Sequence, residues 1–212
     1  MARPSQNVDQ LLLDAGLELL PQTGSAGLSV RRLTEHAGVN LGMFHYHFKN
    51  KENFIRAVLQ RVYEDMFSAL ALKVDPKRSP LDNLRDAVGM LARFGRDQRA
   101  LLLRIGADAM AGEPLAAEFL RANLPRHIAV ILQLIAQAQA QGLIEKAPPP
   151  VVVAFIFGAV GAPVLIGAAV QQHAEAAAVK TIEAHVLSDQ AIDQRIEFAL
   201  RGVAPVPARR AR

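Results

Sequence analysis

The stretch that decides the fold of this chain runs from Ser29 to Lys51 and reads SVRRLTEHAGVNLGMFHYHFKNK. A first helix is predicted to begin after Ser29, whose hydroxyl can accept a hydrogen bond from a free backbone N–H group. Gly38 can adopt the positive φ that ends a helix, and Asn40 is a good N-cap for the next one. The one-face positions of the first helix are Val30, Leu33, Thr34 and Ala37. The spacing therefore predicts two short helices joined by a tight turn.

The second helix is predicted from Leu41 to Phe48 and is too short to be stable alone. Phe44 and Phe48 lie four residues apart, so both rings are expected to face the core and anchor the helix. The residues left outside are Leu41, Gly42, Met43, His45, Tyr46 and His47. Phosphates accept hydrogen bonds from tyrosine and imidazole groups, and a thymine methyl favours an apolar contact. The pattern is typical of a helix-turn-helix that places its second helix in the major groove of DNA.

Basic residues flank this helix on both sides. Lys51 is expected at the start of a third helix, where its charge and the free N–H groups both attract a phosphate. The predicted DNA-binding residues are Ser29, Arg31, Arg32, Asn40, Leu41, Gly42, Met43, His45, Tyr46, His47 and Lys51. A metal site at His45 and His47 is not expected, because residues two apart on a helix point to different faces and no carboxylate or Cys lies nearby. No metal and no cofactor is predicted.

These residues carry a family resemblance. Gly24, followed by SVRRLTEHAGVN, LGMFHYHF and KNKENF, closely resembles the N-terminal domain of the TetR (tetracycline-repressor-like) family of transcriptional regulators, over about Val8 to Leu59. In that family the recognition helix is followed by an aromatic pair and a lysine, and His47, Phe48 and Lys51 fall in register. The departures are His45 for the usual Tyr, Leu41 for a frequent Lys, Asn40 for a frequent Ser, and Thr34 for the usual Ala. Leu41 removes a cation from the predicted surface.

Composition agrees with a helical DNA-binding protein of the cytoplasm. The chain has 212 residues, 51% of them hydrophobic, and no Cys, which excludes disulfides and thiolate chemistry. Its net charge is +4, and residues 28–61 carry six basic against two acidic side chains, which equals the whole excess. This concentration favours an anionic partner. Residues 1–7 contain no apolar run, so no secretory signal is expected.

No sequence feature indicates an enzyme. A nucleophile elbow, a phosphate-binding glycine loop and a His/carboxylate metal spacing are all missing from the sequence. Glu113 with Glu118, and Asp82 with Asp86, could be paired carboxylates, but their positions on polar helix faces indicate solvated groups. The chain is therefore expected not to be an enzyme.

The rest of the chain predicts an all-α protein. A helix over Val8 to Leu20, ended by Pro21 and Gly24, should brace the two short helices, and further helical patterns continue from Lys51 to the end. We predict an N-terminal three-helix helix-turn-helix DNA-binding domain at residues 1–52. A larger helical-bundle domain for ligand binding and dimerisation is predicted at residues 53–204, followed by a basic tail at residues 205–212.

The segment from Val151 to Val170 contains no charged residue and is long enough to cross a bilayer. A membrane-anchored helical adaptor protein is therefore the alternative reading. Pro163, the many Ala and Gly residues, and the lack of flanking basic clusters or aromatic belts argue against a membrane span. The resemblance instead implies a homodimer, in which this segment and Ala191 to Val203 form a four-helix interface. The predicted interface residues are Phe155, Gly158, Gly161, Leu165, Ile192, Ile196 and Leu200.

The resemblance also implies a small-molecule pocket among the central helices. By position, its candidate residues are Met90, Phe94, Ile105, Met110, Phe119, His127 and Ile128. Any of them can equally be ordinary core or surface, because an apolar residue on a helical stripe packs against its neighbours by default. The expected function is a ligand-responsive transcriptional regulator, a repressor by resemblance, that binds double-stranded operator DNA as a homodimer and is released by an inducer.

Overall fold

A computed structural model describes residues 7–171 and 175–205 of the chain, and the described part consists of helices and their connections. The helices are α1 (Val8–Gly27), α2 (Val30–Ala37), α3 (Leu41–Phe48), α4 (Lys51–Ala71), α5 (Pro80–Asp97), α6 (Arg99–Met110), α7 (Pro114–Ala140), α8 (Pro149–Ile156), α9 (Ala162–Gln171), α10 (Ala176–Ile182) and α11 (Asp189–Gly202). Two π-helical turns, Phe157–Gly161 and Glu183–Leu187, follow α8 and α10. The prediction of an all-α fold is confirmed. Apart from Pro205, the predicted basic tail lies outside the described residues.

The chain divides into two compact units. The first comprises residues 1–65 and 100–124, and so contains α1 to α3, most of α4 and α6, and the beginning of α7. Its core is a single apolar cluster whose fully buried members include Leu12, Leu20, Leu33, Phe44, Phe54, Ile55 and Val58. Leu101, Ile105, Leu115 and Ala116 of α6 and α7 belong to the same cluster. The first unit therefore takes part of its core from residues far from the helix-turn-helix in sequence.

The second unit comprises residues 66–99 and 125–212. Its core joins α5, the later part of α7, α8, α9 and α11. Fully buried members include Leu70, Leu84, Ala87, Ile135 and Ile192. Ion pairs also join two of these helices, since Arg93 and Arg96 of α5 both contact Asp189 at the start of α11. The predicted domain boundary after residue 52 stays a prediction.

Helix α1 continues beyond its predicted end. The prediction that Pro21 ends this helix is wrong, because the chain remains helical to Thr23 and breaks only at Gly24, with φ 66° and ψ 179°. Proline removes one backbone hydrogen bond. Leu19 and Leu20 nevertheless stay in the core on the preceding turn, and the Thr23 hydroxyl donates to the carbonyl of Leu19 at 3.1 Å. Tertiary packing thus outweighs the local cost of the proline.

The long apolar segment is helical but not continuous. Helix α8 passes into the π-helical turn Phe157–Gly161 and then into α9, with Pro163 just after the turn. Proline has no backbone N–H to donate, and a wider helical turn is one way in which a helix adjusts to the missing hydrogen bond. By length and composition alone the stretch Pro149–Gly167 could cross a membrane, with a mean hydropathy of 2.2 and 22% of its residues buried within the chain. Most of this apolar stretch is therefore not buried within the chain.

Candidate nucleic-acid interface

Helix α2 has the predicted ends. The Ser29 hydroxyl accepts a hydrogen bond from the Arg32 N–H at 3.4 Å. At the other end Gly38 lies in the left-handed region with φ 65°, and the N–H groups of Gly38 and Val39 donate to carbonyls of the last turn. Leu33 and Thr34 are buried. The predicted cap, stop and core face of α2 are confirmed.

Helix α3 is capped and anchored as the sequence indicates. The Asn40 side chain accepts a hydrogen bond from the Met43 N–H at 3.0 Å. Phe44 is fully buried, and its ring centroid lies 5.5 Å from that of Phe54 on α4. Phe48 is half-buried and meets Phe54 edge to face at 5.0 Å. Two aromatic rings therefore hold this eight-residue helix from beneath.

The opposite face of α3 is open to solvent. Tyr46 is 76% exposed and Leu41 is 49% exposed, and Gly42 and His45 are also exposed. Met43 is half-buried. This face therefore presents an apolar side chain, a tyrosine hydroxyl and an imidazole, and at Gly42 the backbone is not covered by a side chain.

His47 differs from its neighbours on this helix. Its ring is half-buried and lies edge to face with Tyr46, with 5.1 Å between the ring centroids. The Nε2 atom is buried and has no hydrogen-bond partner among the described residues. A phosphate contact through Nε2 would therefore need a different rotamer of His47, and the DNA contact predicted for this residue stays a prediction.

The turn between α3 and α4 contains contacts that the sequence did not reveal. Lys49 has φ 66° and ψ −51°, an uncommon conformation for a residue with a side chain. Its N–H donates to the carbonyl of His45 at 3.1 Å, and its own carbonyl lies 3.1 Å from His45 Nδ1. Asn50 caps α4 by accepting a hydrogen bond from the Asn53 N–H at 2.8 Å. The asparagine is a cap signal of the same type as Asn40, and sequence reasoning missed it.

The basic residues around the helix-turn-helix differ in their partners. Lys51 begins α4 as predicted, and its ammonium donates to the carbonyl of Ala26 at 3.0 Å. Arg31 pairs with Glu35 at 2.9 Å, although both side chains are largely exposed. Arg32 is exposed. An exposed ion pair contributes little to stability, so Arg31 can exchange Glu35 for a phosphate at small cost.

The residues predicted for a ligand pocket do not form one group. Ile105 belongs to the core of the first unit, whereas Met110 is 86% exposed, and the pocket role of both stays a prediction. Phe119 borders a groove of about 290 Å³ in the first unit, together with Leu59, Leu115 and Asn123. The remaining four, Met90, Phe94, His127 and Ile128, are half-buried in the second unit. Helical periodicity identifies a buried face but not the cluster it joins.

The predicted dimer residues also separate into two groups. Phe155 and Gly158 are exposed, and Gly161 and Leu165 are half-buried. Ile192, Ile196 and Leu200 lie in the core of the second unit, so the prediction that they contact another subunit is wrong. The exposed apolar residue of α11 is Phe198, which is 55% exposed. Helix α11 is amphipathic, and its most apolar stripe packs inward against α5.

Two capped helices at a tight turn, with the second facing outward, define a helix-turn-helix protein. Residues 12–58 match the family model of the bacterial regulatory proteins of the tetR family. Over these residues the chain has the DNA-binding domain of this family, which confirms the resemblance inferred from the sequence.

The proteins matched by sequence are named as transcriptional regulators. The HTH-type transcriptional regulator BetI of Paraburkholderia phytofirmans is 30% identical over 71 residues, which are 31% of this chain and 36% of the relative. BetI of Paraburkholderia xenovorans is 28% identical over 41% of this chain, and the match spans 44% of its length. The chain thus matches less than half the length of either protein. BetI of Brucella suis is 23% identical over 72% of this chain and 80% of its own.

Solved structures share the whole fold. The ketosteroid transcriptional regulator KstR2 of Mycobacterium tuberculosis has a TM-score of 0.69 at 16% identity, over 97% of this chain and 99% of its own. Salmonella enterica GusR has a TM-score of 0.65 at 18% identity, over 95% of this chain and 98% of its own. At these identities the likeness concerns the fold.

Proposed function

We propose that this chain is a ligand-responsive repressor that binds operator DNA as a homodimer and is released by a small-molecule inducer in the second unit. The observation that carries the proposal is helix α3, where Phe44 is fully buried while Leu41 and Tyr46 project into solvent. A short helix held rigidly from beneath and exposed above is suited to enter a DNA groove. Repression and a cytoplasmic location are typical of the family.

The DNA contacts have a simple physical division. Leu41 and Met43 offer apolar contacts to thymine methyl groups, and Gly42 allows the backbone to approach a base edge. Phosphate contacts are assigned to Ser29 and Lys51, which lie at helix starts, and to Tyr46, whose hydroxyl is an exposed donor. Each phosphate neutralised by a cation gives a salt dependence of about −0.9 in log K against log salt concentration. With on the order of three or four phosphates per subunit, a dimer should lose affinity steeply as salt rises.

The homodimer is supported by apolar surface on the second unit. Large apolar side chains are exposed on α8, α9, α11 and the turn between α8 and α9: Val151, Phe155, Phe157, Ile166, Val170 and Phe198. Phe155 packs close to Gly202, where an added Cβ would lie 3.1 Å from the ring, and Phe198 is one turn earlier on the same helix. The exposed phenylalanines of α8 and α11 therefore lie near one another. Extended apolar patches mark interfaces, and a two-fold pairing of identical patches places two reading helices on one DNA site.

The inducer site is proposed among the half-buried residues Met90, Phe94, His127 and Ile128 of the second unit. An apolar lining with one ionisable group suits a small molecule with an apolar body. A ligand that binds only the native state must raise the melting temperature. An inducer found by thermal shift must also weaken DNA binding, and a ligand that raises the melting temperature without doing so would contradict its role as inducer.

DNA binding is tested by fluorescence anisotropy with the DNA immediately upstream of the gene, at several salt concentrations. Lys51→Met and Tyr46→Ala are expected to weaken binding by about tenfold or more, because each removes a phosphate contact. Lys77→Met is the matched control, since it removes the same charge from an exposed position in the second unit. Equal loss in the control, or no loss in the first two variants, would contradict the assigned surface.

Dimerisation is tested by sedimentation of Phe198→Glu beside the control Leu72→Glu. Both residues are exposed, but Leu72 does not belong to the apolar surface of α8, α9 and α11. We expect a monomer for Phe198→Glu and a dimer for the control. Recovery of the wild type only from detergent-solubilised membranes would instead support the membrane-anchored adaptor.

A further inference from the structure

The last turn of α1, residues 24–27 after the kink at Gly24, is held by two charged residues that lie far away in sequence. Asp108 on α6 is buried, and its Oδ2 accepts a hydrogen bond from the N–H of Ser25 at 2.9 Å. Its Oδ1 lies 3.0 Å from Nε of Arg104, one turn earlier on α6. One carboxylate oxygen of Asp108 therefore accepts a hydrogen bond from the backbone of this turn, and the other forms an ion pair with the guanidinium of Arg104.

Arg104 also contacts this turn directly. Its Nη2 donates to the carbonyl of Thr23 at 3.3 Å. The guanidinium lies against Gly24, where a Cβ would meet three of its atoms at 2.1 to 2.5 Å. Gly24 has a positive φ of 66°, so both its backbone conformation and the close approach of Arg104 require glycine. Together Arg104 and Asp108 fix the conformation of three successive residues.

The same turn contacts the predicted DNA surface. Lys51 donates from its ammonium to the carbonyl of Ala26, the residue after Ser25, at 3.0 Å. An ammonium has three N–H donors, so two remain for a phosphate. Ala26 is exposed, whereas Ser25 beside it is almost completely buried. The carbonyl that orients Lys51 is thus attached to the residue that Asp108 holds.

We infer that Arg104 and Asp108 are positioning residues for DNA binding, which act by fixing the turn whose Ala26 carbonyl orients the Lys51 ammonium. This inference rests on the proposed DNA-binding function. Helix α6, which lies outside the helix-turn-helix motif, would then help to position a residue that contacts DNA. A displacement of α6 would change the position of Lys51 without any change in α3.

The test is a double-mutant cycle for DNA affinity and its salt dependence, with Asp108→Asn, Lys51→Met and the combination. Lys51→Met should reduce the salt slope by about 1 per subunit, since one phosphate contact is lost. Asp108→Asn should reduce it by a similar amount, and the double variant should be no worse than Lys51→Met alone. A residue that only stabilises the fold would lower the melting temperature and leave the salt slope unchanged.

Asp14→Asn is the matched control, because Asp14 pairs with Arg61 at 2.9 Å in the same unit, with no contact to the turn recorded among the described residues. If Asp108→Asn does not fold, Arg104→Gln replaces it in the cycle, since it leaves the Asp108 carboxylate in place. Suppose that Lys51→Met weakens binding as expected. Additive losses in the double variant, or an unchanged salt slope in a folded Asp108→Asn variant, would then overturn the inference and leave the proposed function intact. If Lys51→Met has no effect, the proposed function itself fails.

Discussion

Replacing Gly42 with Ala should separate stability from DNA binding. Gly42 is the second residue of α3 and is exposed, and an added Cβ would meet only the Asn40 side-chain oxygen, at 3.3 Å. Alanine is favoured over glycine in a helix by about 0.5–1 kcal/mol. In a chain of this size that corresponds to a rise of roughly 1–4 °C in melting temperature.

The same methyl group should weaken DNA binding, because it covers backbone that approaches a base edge. The expected loss is on the order of tenfold, comparable with the loss of one base contact. Circular dichroism melting and fluorescence anisotropy on the same preparation measure both effects. Gly95→Ala is the control, since Gly95 is also helical, lies in the second unit and has nothing within 4 Å of an added Cβ. A Gly42→Ala variant that binds DNA as tightly as the wild type would refute the close approach, and a lowered melting temperature would mean that the added Cβ displaces the Asn40 cap.

Three further predictions concern the supports of the fold. Phe44→Ala should cost about 3–5 kcal/mol in the free energy of unfolding, because it removes a fully buried ring, and urea denaturation would show a smaller loss if the ring were not a core element. Lys49→Gly should preserve or raise the melting temperature, since glycine adopts φ 66° without strain; a clear decrease would mean that Lys49 contributes contacts beyond its backbone. The Arg96 hydrogen bond lowers the pKa of Asp189, so this carboxylate stabilises the fold above the ordinary aspartate pKa and loses that contribution as pH falls through its lowered value. The stability difference between wild type and Asp189→Asn should therefore shrink below about pH 4 in pH-dependent melts, and a difference that grows on acidification would contradict the pairing.

Some of the site depends on residues that are neighbours in the chain. Ser29, Gly38 and Asn40 end and begin their helices through hydrogen bonds within four or five residues, and such short-range rules can be read directly from sequence. The spacing of Phe44 and Phe48 likewise identified the inward face of α3. The bounds of α2 and α3 and the exposed face of α3 were therefore predictable, and the family resemblance added the expected dimer and inducer.

Other features depend on which distant surfaces meet. The hydrogen bond from Ser25 to Asp108 joins residues 83 positions apart, and no local pattern marks either one. The apolar stripe of Ile192 and Ile196 could equally have faced another subunit, until packing against α5 placed it in the core and left Phe198 outside. Local sequence sets hydrogen bonding and periodicity over a few residues, whereas the choice of a partner for each apolar face depends on the simultaneous packing of the whole chain. For that reason helix α3 was evident in the sequence, whereas the contacts of Arg104 and Asp108 with the last turn of α1 emerged only from the folded chain.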